Sequence, residues 1–270
     1  MAARKVQLRV MTFNILKGRP GQRVRGWPAR KLAAATAIKA FSPDLLGIQE
    51  ARAFQAEYLL EELEGYEFSG AGRRAGRKVG ERVVIFFRSD RFEKVDEGHF
   101  WLSKQDQKRG EAGWPGVFPR MVCWARLRAR RRPKTHLLFF NTHFDPVLRR
   151  ARVRAARLLR ERISQVADQS PVIVTGDFNA SAGTKAYQAL LTGEGGDGPE
   201  LIDSYRSAHP VPEKNEGTWH RPRGTPIPRR IDWILHTEQF TTVAAAIDRA
   251  KYAGRYPSDH FPVTATLQLR

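Results

Sequence analysis

Cysteine is almost absent from this sequence, which has only Cys123 among its 270 residues. One thiol cannot form an intramolecular disulfide, and it cannot supply the paired thiolates of a cysteine-built zinc site. Long apolar runs are also missing, since stretches such as residues 137–140 are far shorter than the ~20 residues of a transmembrane helix. The N-terminus runs from basic residues directly into strand-like alternation, without the apolar segment of a signal peptide. We therefore expect a cytoplasmic globular protein rather than a secreted disulfide scaffold or a membrane protein.

Acidic residues are few compared with basic ones: 28 Asp and Glu stand against 47 Lys and Arg, which gives a net charge of +19. Of the basic residues, 35 are arginine and 12 are lysine. The guanidinium group of arginine binds two phosphate oxygens at once and stacks on bases. The excess of arginine therefore favours a polyanionic partner such as nucleic acid. The alternative is an arginine-rich surface that faces solvent and binds nothing. Charge alone indicates no reaction.

Strand-like apolar runs recur from one end of the chain to the other, with no internal repeat and no low-complexity linker between them. Several runs are apolar at consecutive positions, which is typical of strands that are covered on both faces. The predicted strands span residues 8–16, 44–49, 82–88, 121–127, 136–143, 171–177, 231–236 and 262–269. We therefore predict one α/β domain over residues 1–270, built from two stacked sheets with helices outside them.

Two segments show helical periodicity. Residues 28–41 begin with proline at a first-turn position, and their predicted apolar face consists of Leu32, Ala35, Ile38 and Phe41. Residues 150–166 carry a second apolar stripe, and another side of this helix presents Arg150, Arg154 and Arg157. We expect both helices to pack on the outside of the sheets.

Polar side chains that can take part in catalysis stand at the ends of the apolar strands. A carboxylate, amide or imidazole held there lies on rigid backbone, which is how an enzyme positions reacting groups. Taken singly, each has a structural explanation, since residues 176–179 form a turn sequence and a lone histidine is more often a hydrogen-bonded core residue. Seven such endings in one chain favour a shared site instead. Its members are Asn14, Glu50, His143, Asp177, Asn179, Asp232 and the pair Asp259 and His260.

In their order and spacing these endings resemble the motifs of the endonuclease/exonuclease/phosphatase superfamily over nearly the whole chain. The matching motifs are TFN (Asn14), IQE (Glu50), GERVVIFFR (Glu81), NTHFD (His143 and Asp145), GDFNA (Asp177 and Asn179), RRIDWIL (Asp232) and SDHFPV (Asp259 and His260). Further details, including PR at Arg120 and GTWH at Trp219 and His220, resemble a bacterial branch akin to the deadenylase-like members. The resemblance implies a four-layer α/β sandwich, in which two stacked and mainly antiparallel β-sheets are flanked by helices.

The resemblance also implies hydrolysis of a phosphate ester with Mg²⁺ or Mn²⁺ as cofactor. Glu50 would be the main metal ligand, with Asn14 beside it and Asp259 completing the site, and oxygen ligands of this kind suit hard divalent cations. Asp177 matches the family residue that orients or deprotonates the attacking water. Asn179 would donate a hydrogen bond to a phosphate oxygen.

Two carboxylate–imidazole pairs complete the implied machinery. Asp232 would fix the tautomer of His260, which would contact the phosphate. Glu81 would partner His143, which would contact the phosphate or protonate the leaving group. Which pair acts as acid and which as base stays open. The residues expected to bind substrate around the site are Arg120, Asp145, Arg150, Arg154, Trp219 and His220, and the role of Asp145 is open because Pro146 follows it where near relatives often have histidine.

Motifs and charge together predict a metal-dependent nuclease or phosphodiesterase that acts on DNA or RNA, as a monomer without an obligate protein partner. One alternative is a phosphatase or phosphodiesterase acting on a small phosphorylated metabolite or a lipid headgroup, for which the basic surface would be incidental. A weaker alternative is a nucleic-acid-binding module that has lost catalysis. Leu16 stands where abasic-site endonucleases usually carry an acidic residue, and Trp233 follows Asp232 where inositol phosphatases have arginine, so both of those substrate classes are disfavoured.

Overall fold

The computed structural model describes residues 6–19, 26–72, 80–103, 119–193, 198–221 and 224–270. Within these ranges the chain forms twelve strands and five helices. The strands are β1 (Gln7–Asn14), β2 (Leu45–Ala51), β3 (Tyr66–Gly72), β4 (Arg82–Arg88), β5 (Phe92–Trp101), β6 (Met121–Ala129), β7 (Arg132–His143), β8 (Val172–Asp177), β9 (Ile202–Asp203), β10 (Asp232–His236), β11 (Phe240–Ile247) and β12 (Val263–Leu269). The helices are α1 (Trp27–Phe41), α2 (Ala53–Glu62), α3 (Arg149–Ala167), α4 (Lys185–Leu191) and α5 (Ser204–Ala208).

The strands are arranged in two six-stranded sheets. The first sheet has the order β11-β12-β1-β2-β4-β3, and the second has the order β5-β6-β7-β8-β10-β9. Neighbouring strands run antiparallel except for the pairs β1–β2 and β7–β8, which are parallel. Each parallel pair is joined by a crossover helix, α1 in the first sheet and α3 in the second. The predicted fold class, a mainly antiparallel four-layer α/β sandwich, is confirmed.

Three layers of core hold the sandwich together, and they explain the runs of consecutive apolar residues. In β4, Phe87 lies in the core between the sheets whereas Phe86 lies under helices α1 and α2. In β7, Phe139 lies in the central core whereas Phe140 lies under helices α3 and α4. Successive side chains of a strand point to opposite faces, so strands covered on both sides must be apolar at every position.

All eight predicted strands are present, and the four strands that sequence analysis missed are the edge strands of the two sheets. Each missed strand (β11, β3, β5 and β9) stands at one end of the order of its sheet. An edge strand is paired on one side only and is covered less completely, so its sequence lacks a continuous apolar run. Strand β5, with the sequence FEKVDEGHFW, illustrates this, since its central residues are exposed.

The apolar face predicted for α1 is wrong at Leu32, which is 57% exposed. The helix instead packs on the sheet through smaller side chains that include Ala34 and Ala35, together with Ile38. Three residues make roughly 60° less than a full turn of a helix with 3.6 residues per turn. Residues spaced only by three therefore move progressively around the helix and away from its buried face. In α3 the predicted stripe is buried at Ala156, Leu159 and Ile163.

None of the helices in the described ranges is both long enough and apolar enough to span a lipid bilayer. The longest, α3, has 19 residues, but arginines recur along its length. Its sequence, RRARVRAARLLRERISQVA, suits a helix with one face on a sheet and the other in water.

Candidate active site

The predicted site residues meet at one rim of the sandwich because of how the strands run. The two parallel pairs end there, with Asn14 closing β1 and His143 closing β7. In the register of the second sheet, Asp177 stands opposite His143 in β7 and opposite Asp232 in β10. The neighbouring strands run antiparallel to these pairs and begin at the same rim. Residues at their starts therefore lie beside residues at the ends of β1, β2, β7 and β8. The starting residues are Glu81 before β4, Arg120 before β6, Asp232 in β10 and His260 before β12.

A polar network between the two sheets lies directly below this rim. Asn141 donates its amide N–H groups to the carbonyls of Ile48 and Val84 in the facing sheet, at 2.9 and 2.8 Å. Its Oδ1 accepts hydrogen bonds from Gln49 and Thr175, at 2.7 and 3.2 Å. A buried network of this kind is costly unless its members are paired, so it holds the strands in one register. It thereby positions the segments that carry Glu50, His143 and Asp177.

Asp177 is the hub of the site. Its Oδ2 accepts a hydrogen bond from the Asn14 side-chain amide at 3.0 Å and lies 3.3 Å from Nε2 of His143 and 3.9 Å from Nε2 of His260. Its Oδ1 accepts the backbone N–H of Asn179 at 3.0 Å. The carboxylate is only 1% exposed, so two imidazoles and an amide surround one buried oxygen.

His260 and Asp232 form a buried pair beside this hub, with 2.9 Å between Nδ1 and Oδ2. Burial opposes the charged form of His260, but the carboxylate of Asp232 outweighs it and raises the pKa of His260 to about 10. Burial, together with the negative charge of Asp232, raises the pKa of Asp177 to about 7. We call Asp177, Asp232 and His260 the Asp177 cluster; their ligand atoms lie within 4.8 Å of one another.

A second group consists of Glu50, Glu81 and His143, whose ligand atoms also lie within 4.8 Å of one another, and we call it the Glu50 cluster. Glu50 is half-buried and has a left-handed backbone with φ of 61°. Its Oε2 accepts the backbone N–H of Lys17 at 3.2 Å, and the ammonium of Lys17 lies 2.7 Å from Oε1 of Glu81. Asp177 connects the two clusters through its contact with His143.

The oxygen donors at the rim fit a hard divalent cation. Glu50 and Asp259 are half-buried carboxylates, in contrast to the fully buried Asp177. The side-chain oxygen of Asn14 accepts one hydrogen bond, from the N–H of Leu16 at 3.0 Å, and an amide oxygen has a second lone pair. Carboxylate and amide oxygens are the ligands that Mg²⁺ and Mn²⁺ prefer. The single cysteine of the sequence, Cys123, is buried in the core between the sheets.

Arg120 and Asp145, which the sequence predicts as substrate-binding residues, lie near the clusters and are both buried. Burial lowers the pKa of Arg120, and the nearby carboxylates of Glu81 and Asp177 oppose this effect. Oδ1 of Asp145 accepts the N–H groups of Val147 and Leu148 at 2.8 and 2.7 Å, so Asp145 orders the turn that leads into α3. A contact between either residue and substrate stays a prediction.

The remaining predicted substrate residues differ in accessibility. Arg150 and Arg154 are exposed on the first turns of α3, and Trp219 is 40% exposed and paired to His260 through a backbone bridge. His220 is instead buried, stacked on Phe261 with 4.2 Å between ring centroids. The amide of Asn179 donates to the carbonyl of Phe144 at 3.1 Å.

Sequence analysis missed two cationic residues at the site. Arg30 of α1 donates hydrogen bonds to the carbonyls of Ile15, Leu16 and Pro257, and so ties the loop after β1 to the loop before His260. Lys17 lies between Glu50 and Glu81. The only sequence signal for Lys17 is its position three residues after Asn14; for Arg30 there is none, because helix periodicity places arginines at the surface by default.

Two imidazoles around a buried carboxylate, beside an oxygen-rich cation site, are suited to hydrolysis at phosphorus. The fold and the site therefore define a class, the hydrolases that act on phosphoester bonds. The chain matches the Endonuclease/Exonuclease/phosphatase family over residues 11–260, and it belongs to that family. Enzymes of the family depend on a divalent metal, which agrees with the donor set at the rim.

Similar structures cover the whole chain. An endonuclease/exonuclease/phosphatase family protein from Bacteroides thetaiotaomicron is 29% identical with a TM-score of 0.88, over 99% of this chain and 100% of that one. A mannosyl-6-phosphatase of the same species is 30% identical with a TM-score of 0.87, over 96% of this chain and 99% of that one. A probable RNA exonuclease of Schizosaccharomyces pombe is 24% identical over 207 residues, which are 69% of this chain. The chain spans 39% of the length of that curated relative.

Proposed function

We propose that the protein is a divalent-metal-dependent nuclease that hydrolyses phosphodiester bonds of DNA or RNA. The observation that carries this proposal is the position of Asp177 between His143 and His260, with one oxygen 3.3 and 3.9 Å from their Nε2 atoms. A carboxylate that holds water beside two imidazoles can serve an in-line displacement at phosphorus. The net charge of +19 supports a polyanionic substrate.

In this mechanism Asp177 orients the attacking water and takes its proton as the new P–O bond forms. A pKa of about 7 suits this role, because the carboxylate is then available as a base near neutral pH. His260 is held as an imidazolium by Asp232, and its Nε2 donates to a non-bridging phosphate oxygen. His143 donates a proton to the leaving oxygen as the old P–O bond breaks.

Glu50, Asn14 and Asp259 would hold the divalent cation. When bound, this cation neutralises phosphate charge that would otherwise oppose attack by water. The rest of the rim orients the substrate. Arg120 adds a buried positive charge beside both clusters, and Asn179 lies in the turn after β8, where its backbone N–H donates to Asp177.

Exposed residues at the rim suit a nucleic-acid strand. Trp219 is 40% exposed and its backbone pairs with that of His260. A nucleic-acid base that stacks on an exposed aromatic ring contributes about 1–3 kcal/mol to binding. Arg150 and Arg154 lie on the exposed side of α3, which begins six residues after His143. We propose that they bind phosphates flanking the cleaved bond.

One assay tests the proposal against its main competitor. Purified protein is incubated with Mg²⁺ or Mn²⁺ and with single- and double-stranded DNA, RNA, abasic DNA, inositol phosphates and sugar phosphates in parallel. We expect cleavage of at least one nucleic acid, complete loss in EDTA, and recovery on adding the metal back. Asp177→Asn in the same preparation controls for a contaminating nuclease. Hydrolysis of small phosphates without any nucleic-acid cleavage would reject the proposal.

The second candidate function is a phosphatase acting on a phosphorylated sugar. The observation that favours it is the 30% identity to a mannosyl-6-phosphatase over 96% of this chain and 99% of that one. Under this function the same rim would hydrolyse a phosphomonoester, and the basic surface would play no part in binding. KM would then change little between low and high salt, whereas nucleic-acid binding weakens steeply with salt.

A third candidate is a catalytically silent module that binds nucleic acid. The close assembly of Asp177, Asp232 and His260 argues against it, because a binder gains nothing from burying two carboxylates around an imidazole. Nucleic-acid binding with no turnover of any substrate in the panel would support it.

A further inference from the structure

Lys17 places an ammonium group against Glu81 of the Glu50 cluster. Its Nζ lies 2.7 Å from Oε1 of Glu81, whose side chain is only 8% exposed. Its backbone N–H donates to Oε2 of Glu50 at 3.2 Å, so the same residue engages both carboxylates of the cluster. The side chain of Lys17 is 28% exposed, which leaves the ammonium anchored at the mouth of the site rather than extended into solvent.

Glu50, Glu81 and His143 would otherwise make a metal site of their own. Their ligand atoms lie within 4.8 Å of one another, as the ligands of one ion do. A divalent ion bound to Glu81 at the usual ~2.0–2.6 Å from oxygen would share that carboxylate with the ammonium of Lys17. Two cations on one carboxylate in a poorly solvated cluster repel each other, so the resident ammonium excludes the second ion.

We propose that Lys17 fills the cation position of the Glu50 cluster with its ammonium group, so that the site takes one divalent cation instead of two. That single cation would be held by Glu50, Asn14 and Asp259. Lys17 then takes the place of a second metal ion, with its positive charge on Glu81, which belongs to the same cluster as His143. This inference rests on the proposed metal-dependent function, and its test below separates the two.

The chain contains a matched control for Lys17. Lys39 forms an ion pair with Glu62 at the same Nζ–Oε distance of 2.7 Å, but on the surface, where the two side chains are 51% and 31% exposed. Substituting Lys39 removes the same charge and the same kind of contact without opening a cluster of ligands. Any change in metal binding that is specific to Lys17 therefore comes from its place in the Glu50 cluster.

The experiment counts bound Mn²⁺ directly, without relying on turnover. Metal-free wild-type protein, Lys17→Met, Lys17→Arg and Lys39→Met are titrated with Mn²⁺, and free and bound ions are followed by electron paramagnetic resonance and calorimetry. We expect one Mn²⁺ per chain for wild type, Lys17→Arg and Lys39→Met. We expect two for Lys17→Met, with the broadened, exchange-coupled spectrum of two neighbouring Mn²⁺ ions. Adding Glu81→Gln to Lys17→Met should return the count to one.

The outcomes of this experiment separate the role of Lys17 from the proposed metal-dependent hydrolysis. Two Mn²⁺ ions in the wild type, or one in a folded Lys17→Met, would overturn the role of Lys17 while leaving metal-dependent hydrolysis intact. No Mn²⁺ bound by wild type at millimolar concentration would instead reject the proposed function itself. Circular dichroism establishes folding, and Lys17→Gln, which keeps a polar chain, makes the same test if Lys17→Met does not fold.

Discussion

The two clusters at the rim meet where Asp177 of one contacts His143 of the other, but they differ in burial. In the Asp177 cluster all three side chains are buried, and their proximity shifts the pKa values of Asp177 and His260 before any ligand binds. In the Glu50 cluster, Glu50 is half-buried, and the side chain of Lys17, which pairs with Glu81, is 28% exposed. Burial suits a group that must hold or move a proton, whereas partial exposure suits ligands for an ion that exchanges with solvent.

The largest effect that we expect comes from Asp177→Asn. The amide keeps the shape of the carboxylate but cannot take a proton from water, so kcat should fall by roughly 10²–10⁴-fold. Because burial already disfavours the charged form of Asp177, the melting temperature should not fall. Steady-state kinetics and thermal unfolding on the same samples measure both. A variant with near-wild-type kcat would mean that Asp177 is not the base.

Glu50→Gln should reduce activity by about 10²-fold, through loss of charge at the cation site. The loss should be partly recovered by raising Mg²⁺ or Mn²⁺, because this substitution weakens metal binding rather than proton transfer. Activity measured as a function of metal concentration separates the variants: the half-saturating concentration rises for Glu50→Gln and stays unchanged for Asp177→Asn. The opposite ranking would reverse the roles that we assign to the clusters.

A smaller but more specific effect concerns the charge on His260. Its pKa of about 10 lies above the ordinary value of 6.5, so the charged pair with Asp232 stabilises the fold fully below that ordinary value and loses this contribution as the pH rises through about 10. Nitrogen NMR of metal-free protein should show an imidazolium at pH 8. In Asp232→Asn the pKa of His260 should fall to about 8 or lower. A neutral imidazole in wild type at pH 8 would contradict the pairing.

The smallest effects are expected outside both clusters. Arg150→Gln and Arg154→Gln should each raise KM for a nucleic-acid substrate a few-fold, leave kcat unchanged, and reduce the salt slope of binding by about 1. Arg131→Gln removes the same charge from the exposed turn between β6 and β7, at the opposite end of β6 from the rim. It is the matched control, and an equal effect there would indicate binding over the whole surface.

Much of the fold could be predicted from the sequence because the inner strands carry their own signal. A strand such as β8, with the sequence VIVTGD, is buried at every position and shows this in its composition. In the edge strand β11 one residue is buried and the others are exposed or half-buried, and its sequence, FTTVAAAI, has no continuous run of large apolar residues. Whether such a segment forms a strand depends on the neighbour that it pairs with.

The family motifs predicted the members of the site and the pairing of Asp232 with His260, but they did not predict the contact of Asp177 with His143 or that of Lys17 with Glu81. The strand-end position marked Asp177, His143 and Asp232, and the direction of the strands brings them together. The motif at His220 does not show that its imidazole is buried and stacked on Phe261. Likewise Lys17 is one of 47 basic residues, and its position at the site follows only from its ion pair with Glu81, which lies 64 residues further along the chain.

The sequence by itself therefore determined the eight inner strands, the charge and the order of polar residues at the strand ends, because burial and turn chemistry leave marks on neighbouring residues. The tertiary structure decided that Asp177 contacts His143 and that the ammonium of Lys17 pairs with Glu81. Contacts in the folded chain join residues as far apart in sequence as Ser258 and Asn14, since the Ser258 hydroxyl donates to the Asn14 carbonyl at 2.6 Å. A local sequence pattern carries no information about the distance in space between residues so far apart in the chain.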